Sequence, residues 1–153
     1  KKDFNPLVTD NLLKAGNTLT QRCFRTNKNE VIVKMNIEGI VDGQKAGLCH
    51  YSKSYAMVGV RQSGKDRNLE FQTNKEKITG PAIKGNKVWI KSVWGLDGKS
   101  QFSYSTDGRK FTPFGEVYQL EWGYYRGSRI GIYCFNNIAD AGYIDVDEFI
   151  YLY

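Results

Sequence analysis

His50 is the only histidine in the chain, so any nucleophilic or general-base chemistry that needs an imidazole has to pass through it. Its neighbour Cys49 cannot complete a dyad. Consecutive residues of a strand point to opposite faces, and both lie at the end of an expected strand. The sequence therefore gives His50 a local hydrogen-bonding role rather than a catalytic one, with sugar contact left open. Asp145 and Asp147 are the one carboxylate pair with suggestive spacing. On a regular strand they share a face about 7 Å apart. Glycosidase chemistry uses paired carboxylates, but this spacing is ordinary. The expected role is structural: loop caps, ion pairs, or at most part of a structural calcium site. No other cofactor is expected. Cys23, Cys49 and Cys134 are odd in number and lack zinc-ligand spacing, so each reads first as a small buried hydrophobe, with one disulfide plus one free thiol left open as the alternative. Phosphate-binding glycine motifs are missing.

Aromatic residues interleaved with polar ones are the richer signal. One cluster is Trp122-Gly123-Tyr124-Tyr125-Arg126-Gly127, and a second runs His50-Tyr51-Ser52-Lys53-Ser54-Tyr55. Trp89 and Trp94 form a third, of which Trp89 reads as an ordinary sandwich residue. Flat aromatic faces stack on sugar rings while nearby polar groups bond the hydroxyls. Two consecutive tyrosines in a glycine-bracketed loop cannot both face one core, which marks Tyr124 and Tyr125 as the leading pair. The candidate contact residues are Trp122, Tyr124, Tyr125, Arg126, His50, Tyr51 and Tyr55.

The elements that must position these groups are strands. Val31, Val33, Met35 and Ile37 alternate with Lys34, Asn36 and Glu38, the pattern of a strand with one buried face. Strands are also expected over 19–24, 46–51, 55–62, 69–73, 88–94, 101–105, 129–135 and 143–153. Segments 11–15 and 74–78 could each form one turn of helix. Asp-Gly at 42–43, 97–98 and 107–108, with Ser63-Gly64-Lys65, supplies hairpin turns. The fold class that follows is all-β, a two-sheet antiparallel sandwich over 18–153 preceded by an N-terminal arm over 1–17. In 130–135, Ile130, Ile132 and Cys134 point one way and Tyr133 and Phe135 the other. A two-layer sandwich buries one face per sheet, so the second aromatic face calls for a cover, a ligand or a partner.

Composition narrows the partners. Hydrophobic residues make up 41% and charged residues 25%, the balance of a globular domain. The net charge of +6 would permit nucleic acid, but the basic residues are scattered and 140–148 is acidic. Neither a nucleic-acid partner nor a membrane span is expected. Without an opening signal pattern or methionine, compartment stays open, with a secreted or periplasmic location favoured over a cytoplasmic one.

A series of segments carries a family resemblance. Asp42-Gly43-Gln44-Lys45-Ala46-Gly47-Leu48, Tyr55–Val60, Phe102-Ser103-Tyr104-Ser105-Thr106-Asp107-Gly108, Arg129–Cys134 and Gly142–Phe149 occur in order. Together they resemble the C-terminal concanavalin A-like β-sandwich of glycoside hydrolase family 43 β-xylosidases and arabinofuranosidases, from about Thr18 to Tyr153. The resemblance implies a concanavalin A-like jelly roll that packs on a catalytic five-bladed propeller domain of the same polypeptide. It implies that the catalytic residues lie on the propeller, and that xylan or arabinoxylan oligosaccharides are the substrates. It also implies that the loop 122–127 brings an aromatic to the active-site rim, with Tyr124 and Tyr125 the matching positions. The reading is a non-catalytic accessory and carbohydrate-binding module. An autonomous binding module is the alternative, and a standalone hydrolase ranks below both.

Overall fold

In the computed structural model, the structure describes residues 18–23, 27–51, 54–120, 129–136 and 144–152. Among them are twelve strands and no helix: β1 Thr18–Arg22, β2 Asn29–Asn36, β3 Gln44–Tyr51, β4 Tyr55–Ser63, β5 Asp66–Thr73, β6 Lys77–Ala82, β7 Lys87–Trp94, β8 Lys99–Ser105, β9 Thr112–Pro113, β10 Tyr118–Gln119, β11 Arg129–Asn136 and β12 Asp145–Leu152. They form two antiparallel sheets. One runs β1-β11-β3-β4-β5-β6; the other runs β10-β8-β7-β2-β12, with the short β9 beside β8. The chain changes sheets after β1, after β2, after β6, after β10 and after β11. The expected two-sheet sandwich is the fold observed.

Alternation builds the core. On β2 the residues Val31, Val33 and Met35 are fully buried, and their partners Val88 and Ile90 on β7 are too. From the other sheet, Leu48, Ala56, Val58, Val60, Leu69, Phe71 and Ile130 meet them in one continuous cluster. Burying a side chain of this size stabilises by about 1.5–3 kcal/mol, so this cluster dominates the folding energy.

All four expected turns are present, three of them as hairpins between β4 and β5, β7 and β8, and β8 and β9; Asp42-Gly43 instead lies on the crossover from β2 to β3, which belong to different sheets. Gly43, Gly64, Gly98 and Gly108 take positive φ, between 61° and 80°, and among the described residues no other residue type does. The aspartates before three of them instead accept backbone hydrogen bonds. Asp107 Oδ1 accepts from the N–H groups of Arg109 and Lys110 (2.8 and 3.0 Å), which pulls its carboxyl down to about 2. Asp42 Oδ1 accepts from Gly64 N–H at 2.7 Å, tying two turns together.

Two local expectations are corrected. Residues 74–78 do not form a helical turn. Thr73 Oγ1 accepts the N–H groups of Lys75 and Glu76, and the tight turn that results leads into β6, an edge strand the sequence reading missed. Pro81 lacks an N–H, and an edge strand tolerates that. The β12 register slips across Asp147: Val146 opposes Met35 and Glu148 opposes Lys34, leaving Asp147 as the bulge residue. The simple i,i+2 geometry assumed for Asp145 and Asp147 therefore does not hold. Residues 11–15 lie outside the described set.

Gly47 and Gly59 face each other across β3 and β4. A Cβ on Gly59 would fall on the Ala46 carbonyl oxygen and 2.5 Å from the Tyr133 hydroxyl. Backbone cannot yield as a side-chain tip does. Gly59→Ala is expected to destabilise the domain by about 2–3 kcal/mol, the upper part of the overpacking range. A urea midpoint equal to wild type would show that the two strands have room to part.

Candidate functional site

The described candidates separate onto different faces. Tyr51 and Tyr55 oppose each other in the β3–β4 register, on the outer face of the six-stranded sheet. His50 points the other way. It is fully buried between the sheets, so its assignment as a sugar-contact residue is corrected. Alternation demands this: His50 pairs with Ile130 and Ala56, both core residues. Its Nε2 lies 2.6 Å from Ser92 Oγ, which lies 2.6 Å from Ser100 Oγ, and its Nδ1 is 3.5 Å from Cys23 Sγ. The ring stacks on Tyr118 at 5.9 Å and meets Trp94 edge-on at 5.1 Å. Burial pushes the imidazole down to about 3, against a smaller upward pull from a backbone hydrogen bond with Arg129. Burial also lifts the Cys23 thiol to about 12. Both groups are neutral near pH 7, so this contact is no thiolate–imidazolium nucleophile.

Trp122, Tyr124, Tyr125 and Arg126 lie outside the described residues. Asp147 is exposed at the bulge, and for Asp145 only the strand position is described. Among the described residues no group of three or more His, Cys, Asp or Glu is placed to hold a metal ion. Glu76 and Glu116 do meet on the surface. Their mutual hydrogen bond raises the Glu76 carboxyl, with smaller contributions from desolvation and charge repulsion. That is closer than the roughly 5–9 Å that separates a glycosidase acid from its partner. Among the described residues no helix is long and apolar enough to cross a membrane. Trp94 is a core residue, while Trp89 lies half-buried on the outer face of the other sheet, beneath the Lys34 ammonium.

The outer face of the six-stranded sheet is the feature that calls for a function. On the opposite sheet the outward residues Glu30, Ile32, Lys34, Trp89, Lys91 and Val93 are only half-buried. Here the outward residues are buried on both sides of the β3–β4 pair. Cys49, Tyr55, Met57 and Tyr133 form a second small apolar cluster against which Tyr51 packs. Tyr133, Gly47, Gly59 and Glu70 stand in one row across four strands. With no Cβ on either glycine, the Tyr133 phenol reaches across both of them toward Glu70. Burial raises the Tyr133 hydroxyl well above its ordinary range, and the nearby Cys49 and Glu70 add to the rise.

Beside the phenol runs a polar chain that the sequence reading did not single out. Tyr55 OH is 3.4 Å from Gln72 Nε2, which donates to it. Gln72 Oε1 accepts from Lys45 Nζ at 2.7 Å, and Lys45 Nζ is 2.8 Å from Glu70 Oε1. The Lys45–Glu70 contact is an ion pair by distance whose angles fall short of a hydrogen bond. Glu70 Oε2 accepts from Arg61 Nη1 at 3.2 Å. The Lys45 and Glu70 side chains are 2% and 7% exposed, whereas Arg61 is 34% exposed. Alternating charged positions on strands normally read as a wet face. Only the pairing of β3, β4 and β5 reveals that these converge. Tyrosines, an amide and fixed charges on one rigid sheet are groups that bond hydroxyl-rich ligands.

Comparison with known proteins fits this architecture. The family model for the β-xylosidase C-terminal concanavalin A-like domain matches residues 8–152. A β-xylosidase of Formosa agariphila is 32% identical over 142 residues, which is 92% of this chain and 24% of that protein. A putative β-xylosidase of Xylanibacter ruminicola is 28% identical, covering 82% of this chain and 23% of its own length. Among solved structures, an engineered GH43 glycoside hydrolase with endo-xylanase and exo-arabinofuranosidase activity superposes with a TM-score of 0.84 at 24% identity, over 95% of this chain and 32% of its own. A bifunctional GH43-CE protein of Bacteroides eggerthii gives 0.86 at 22% identity, over 95% of this chain and 20% of its own. These two likenesses speak for the fold. The chain spans about a quarter of the length of the curated relatives it matches. With the family model matching nearly its whole length and the sandwich on the page, the chain belongs to the β-xylosidase C-terminal concanavalin A-like domain family.

Proposed function

We propose that this domain is a non-catalytic accessory and carbohydrate-binding module of a glycoside hydrolase acting on xylan or arabinoxylan. In this reading it works beside a catalytic five-bladed propeller domain of the same polypeptide and helps to shape that domain's sugar site. The observation that carries the reading is the outer face of the six-stranded sheet, where Tyr51, Tyr55 and Tyr133 adjoin the Lys45–Glu70–Gln72–Arg61 chain. Family membership supports it, because relatives named as β-xylosidases carry a domain of this kind as part of a much longer chain. The loop 122–127 is the second proposed contribution, through Trp122, Tyr124, Tyr125 and Arg126.

The test is a calorimetric titration of the domain with xylan and xylo-oligosaccharides at low and moderate salt. A shallow, wet site should bind a neutral oligosaccharide at roughly 0.1–1 mM, with little salt dependence. Loss of binding in Tyr124→Ala/Tyr125→Ala would put the contacts on the loop. Retained binding would put them on the sheet face. No heat at millimolar sugar would remove the binding role of the free domain and leave only the accessory one.

A further inference from the structure

Among the described strands, β1 and β6 bound one sheet and β10 and β12 bound the other. Three of these edges are poor templates for another strand. β6 carries Gly80 and Pro81, β10 is two residues long, and β1 reads Thr-Leu-Thr-Gln-Arg. Proline, shortness and polar or charged side chains are common ways of keeping an edge from pairing. The second half of β12 has none of them, because Phe149, Ile150, Tyr151 and Leu152 follow one another there. Of the six large hydrophobics exposed among the described residues, four lie on β12: Val146, Phe149, Ile150 and Leu152, at 37–52% exposure. They line both sides of the strand. Phe149 stands beside the core residue Val33, whereas Ile150 and Leu152 stand beside Ile32 and Glu30 on the outer side. Only β2 pairs with β12 among the described strands, and an edge of this kind presents its outward N–H and C=O groups as a template. The strand is held firmly to the body: the Tyr151 ring meets Trp94 edge-on at 5.6 Å, and its hydroxyl donates to Asn29 Oδ1 at 3.3 Å.

The order of residues on this edge selects its partner. When two copies of one strand pair antiparallel about a two-fold axis, one residue faces itself. Centring the pair on Glu148 sets acid against acid, which destabilises a cross-strand contact. Centring it on Phe149 draws the bulge at Asp147 into the ladder. Centring it on Ile150 uses the regular stretch 148–152 alone. Ile150 then faces Ile150 of the second copy, Phe149 faces Tyr151 of that copy, and Glu148 faces its Leu152. The Phe149–Tyr151 contacts are aromatic cross-strand pairs, a favourable class. The two Glu148 positions end up about 14 Å apart along the strands, four residue rises. This stretch is complementary to itself in one register. A two-fold pairing also uses up both edges, so assembly stops at two copies.

We propose that two copies of this chain pair through β12 into a symmetric dimer, joining their β10-β8-β7-β2-β12 sheets into one. The tyrosine-lined face belongs to the other sheet and takes no part, so the dimer does not depend on the sugar-contact reading.

Sedimentation velocity over a concentration series tests it. A five-residue strand pair lies at the weak end of specific interfaces, so the dimer should dissociate at roughly 10–100 μM, and a series from about 1 to 500 μM brackets that value. Ile150→Lys sets two ammonium groups face to face at the centre and should raise the dissociation constant at least about tenfold. Val117→Lys, at an exposed hydrophobic away from β12, should leave it unchanged. Thermal melts establish that both variants fold. Oxidative cross-linking reads the register. Ile150→Cys should form a disulfide between copies, because facing residues of antiparallel strands have Cα atoms about 4.5–5.5 Å apart. Leu152→Cys should not, because its two copies stand about 14 Å apart along the strands. It should cross-link to Glu148→Cys when the two variants are mixed. A monomer throughout the series overturns the proposal and leaves β12 to a partner of different sequence. A dimer untouched by Ile150→Lys, or Leu152→Cys cross-linking to itself as readily as Ile150→Cys, overturns it by putting the contact elsewhere. Growth beyond two copies would mean open-ended edge association and overturns it as well.

Discussion

Glu70→Gln is expected to destabilise the domain by about 3–5 kcal/mol, the usual range for breaking a buried ion pair from one side. The Lys45 ammonium, on a side chain 2% exposed, would keep the Gln72 Oε1 contact at 2.7 Å but lose its counter-charge. The loss of the Arg61 contact adds less, because that side chain is 34% exposed and its charge is screened by water. Urea unfolding at pH 7 measures the effect. The partner experiment is Lys45→Met/Glu70→Met. Removing both charges also removes the desolvation penalty of each, so the double variant should recover most of the loss. The half-buried pair Lys91–Glu30, at 3.4 Å with side chains 22% and 24% exposed, is the internal comparison. Glu30→Gln there should cost under about 1 kcal/mol. If Glu70→Gln were equally mild, the outer-face network would be a solvated surface and the burial argument for a site there would fail.

The same network shows what the sequence could and could not disclose. Binary alternation is a strong signal where a strand has one wet face. β2 and β7 were legible because Lys34, Lys87 and Lys91 point to water while Val31, Val33, Val88 and Ile90 do not. β3 and β4 were legible as short, largely apolar runs bounded by turn residues, but their second face was not. Lys45, Arg61 and Glu70 are 9–25 positions apart in the chain. They become neighbours only once β3 pairs with β4 and β4 with β5, and that long-range register is not a local property. β6 was missed because Lys77-Ile78-Thr79-Gly80-Pro81-Ala82 holds two residues that disfavour strands, and its edge position makes them acceptable.

The family-like segments turn out to be mostly structural in their chemistry. In Asp42–Leu48, Asp42 ties two turns, Gly43 takes positive φ, and Gln44 Oε1 accepts from Val41 N–H at 3.1 Å while its Nε2 reaches Cys134 Sγ at 3.0 Å. Gly47 makes room for the Tyr133 phenol and Leu48 fills the core. Only Lys45 belongs to the candidate site. In the Phe102–Gly108 segment, Phe102 is a core ring, and the Ser105 hydroxyl and Asp107 carboxyl fasten the turn at 2.8 Å. A motif can thus identify a fold without marking a binding residue. His50 illustrates the converse. Titratable, rare and flanked by Tyr51, it drew a functional reading, and strand parity sends it inward. The parity that excluded a Cys49–His50 dyad also placed His50 opposite the tyrosine beside it.

That burial of His50 makes the domain acid-sensitive in a window set by one residue. An unfolded chain protonates His50 near 6.5, whereas in the folded domain the imidazole resists protonation down to about 3. Between those values the unfolded chain binds the extra proton. The stabilisation from His50 is therefore complete above pH 6.5 and is lost as pH falls through that window toward 3. At about 1.4 kcal/mol per unit, the loss reaches roughly 2 kcal/mol by pH 5 and roughly 4–5 kcal/mol by pH 3. Asp107 contributes in the same direction, but below about pH 4, since its depressed carboxyl titrates there. The raised Glu76 carboxyl acts in the opposite sense. The clean interval is pH 7 to 5, with urea unfolding of wild type beside His50→Gln. Glutamine keeps a side-chain polar group available to Ser92 Oγ but cannot take up a proton. The variant should be less stable at pH 7 and show a flatter slope, so that the two curves converge on acidification. Parallel curves would mean that His50 is already reachable by water in the folded state. In that case the chain of His50, Ser92 and Ser100 would be a hydrated channel, not part of a dry core.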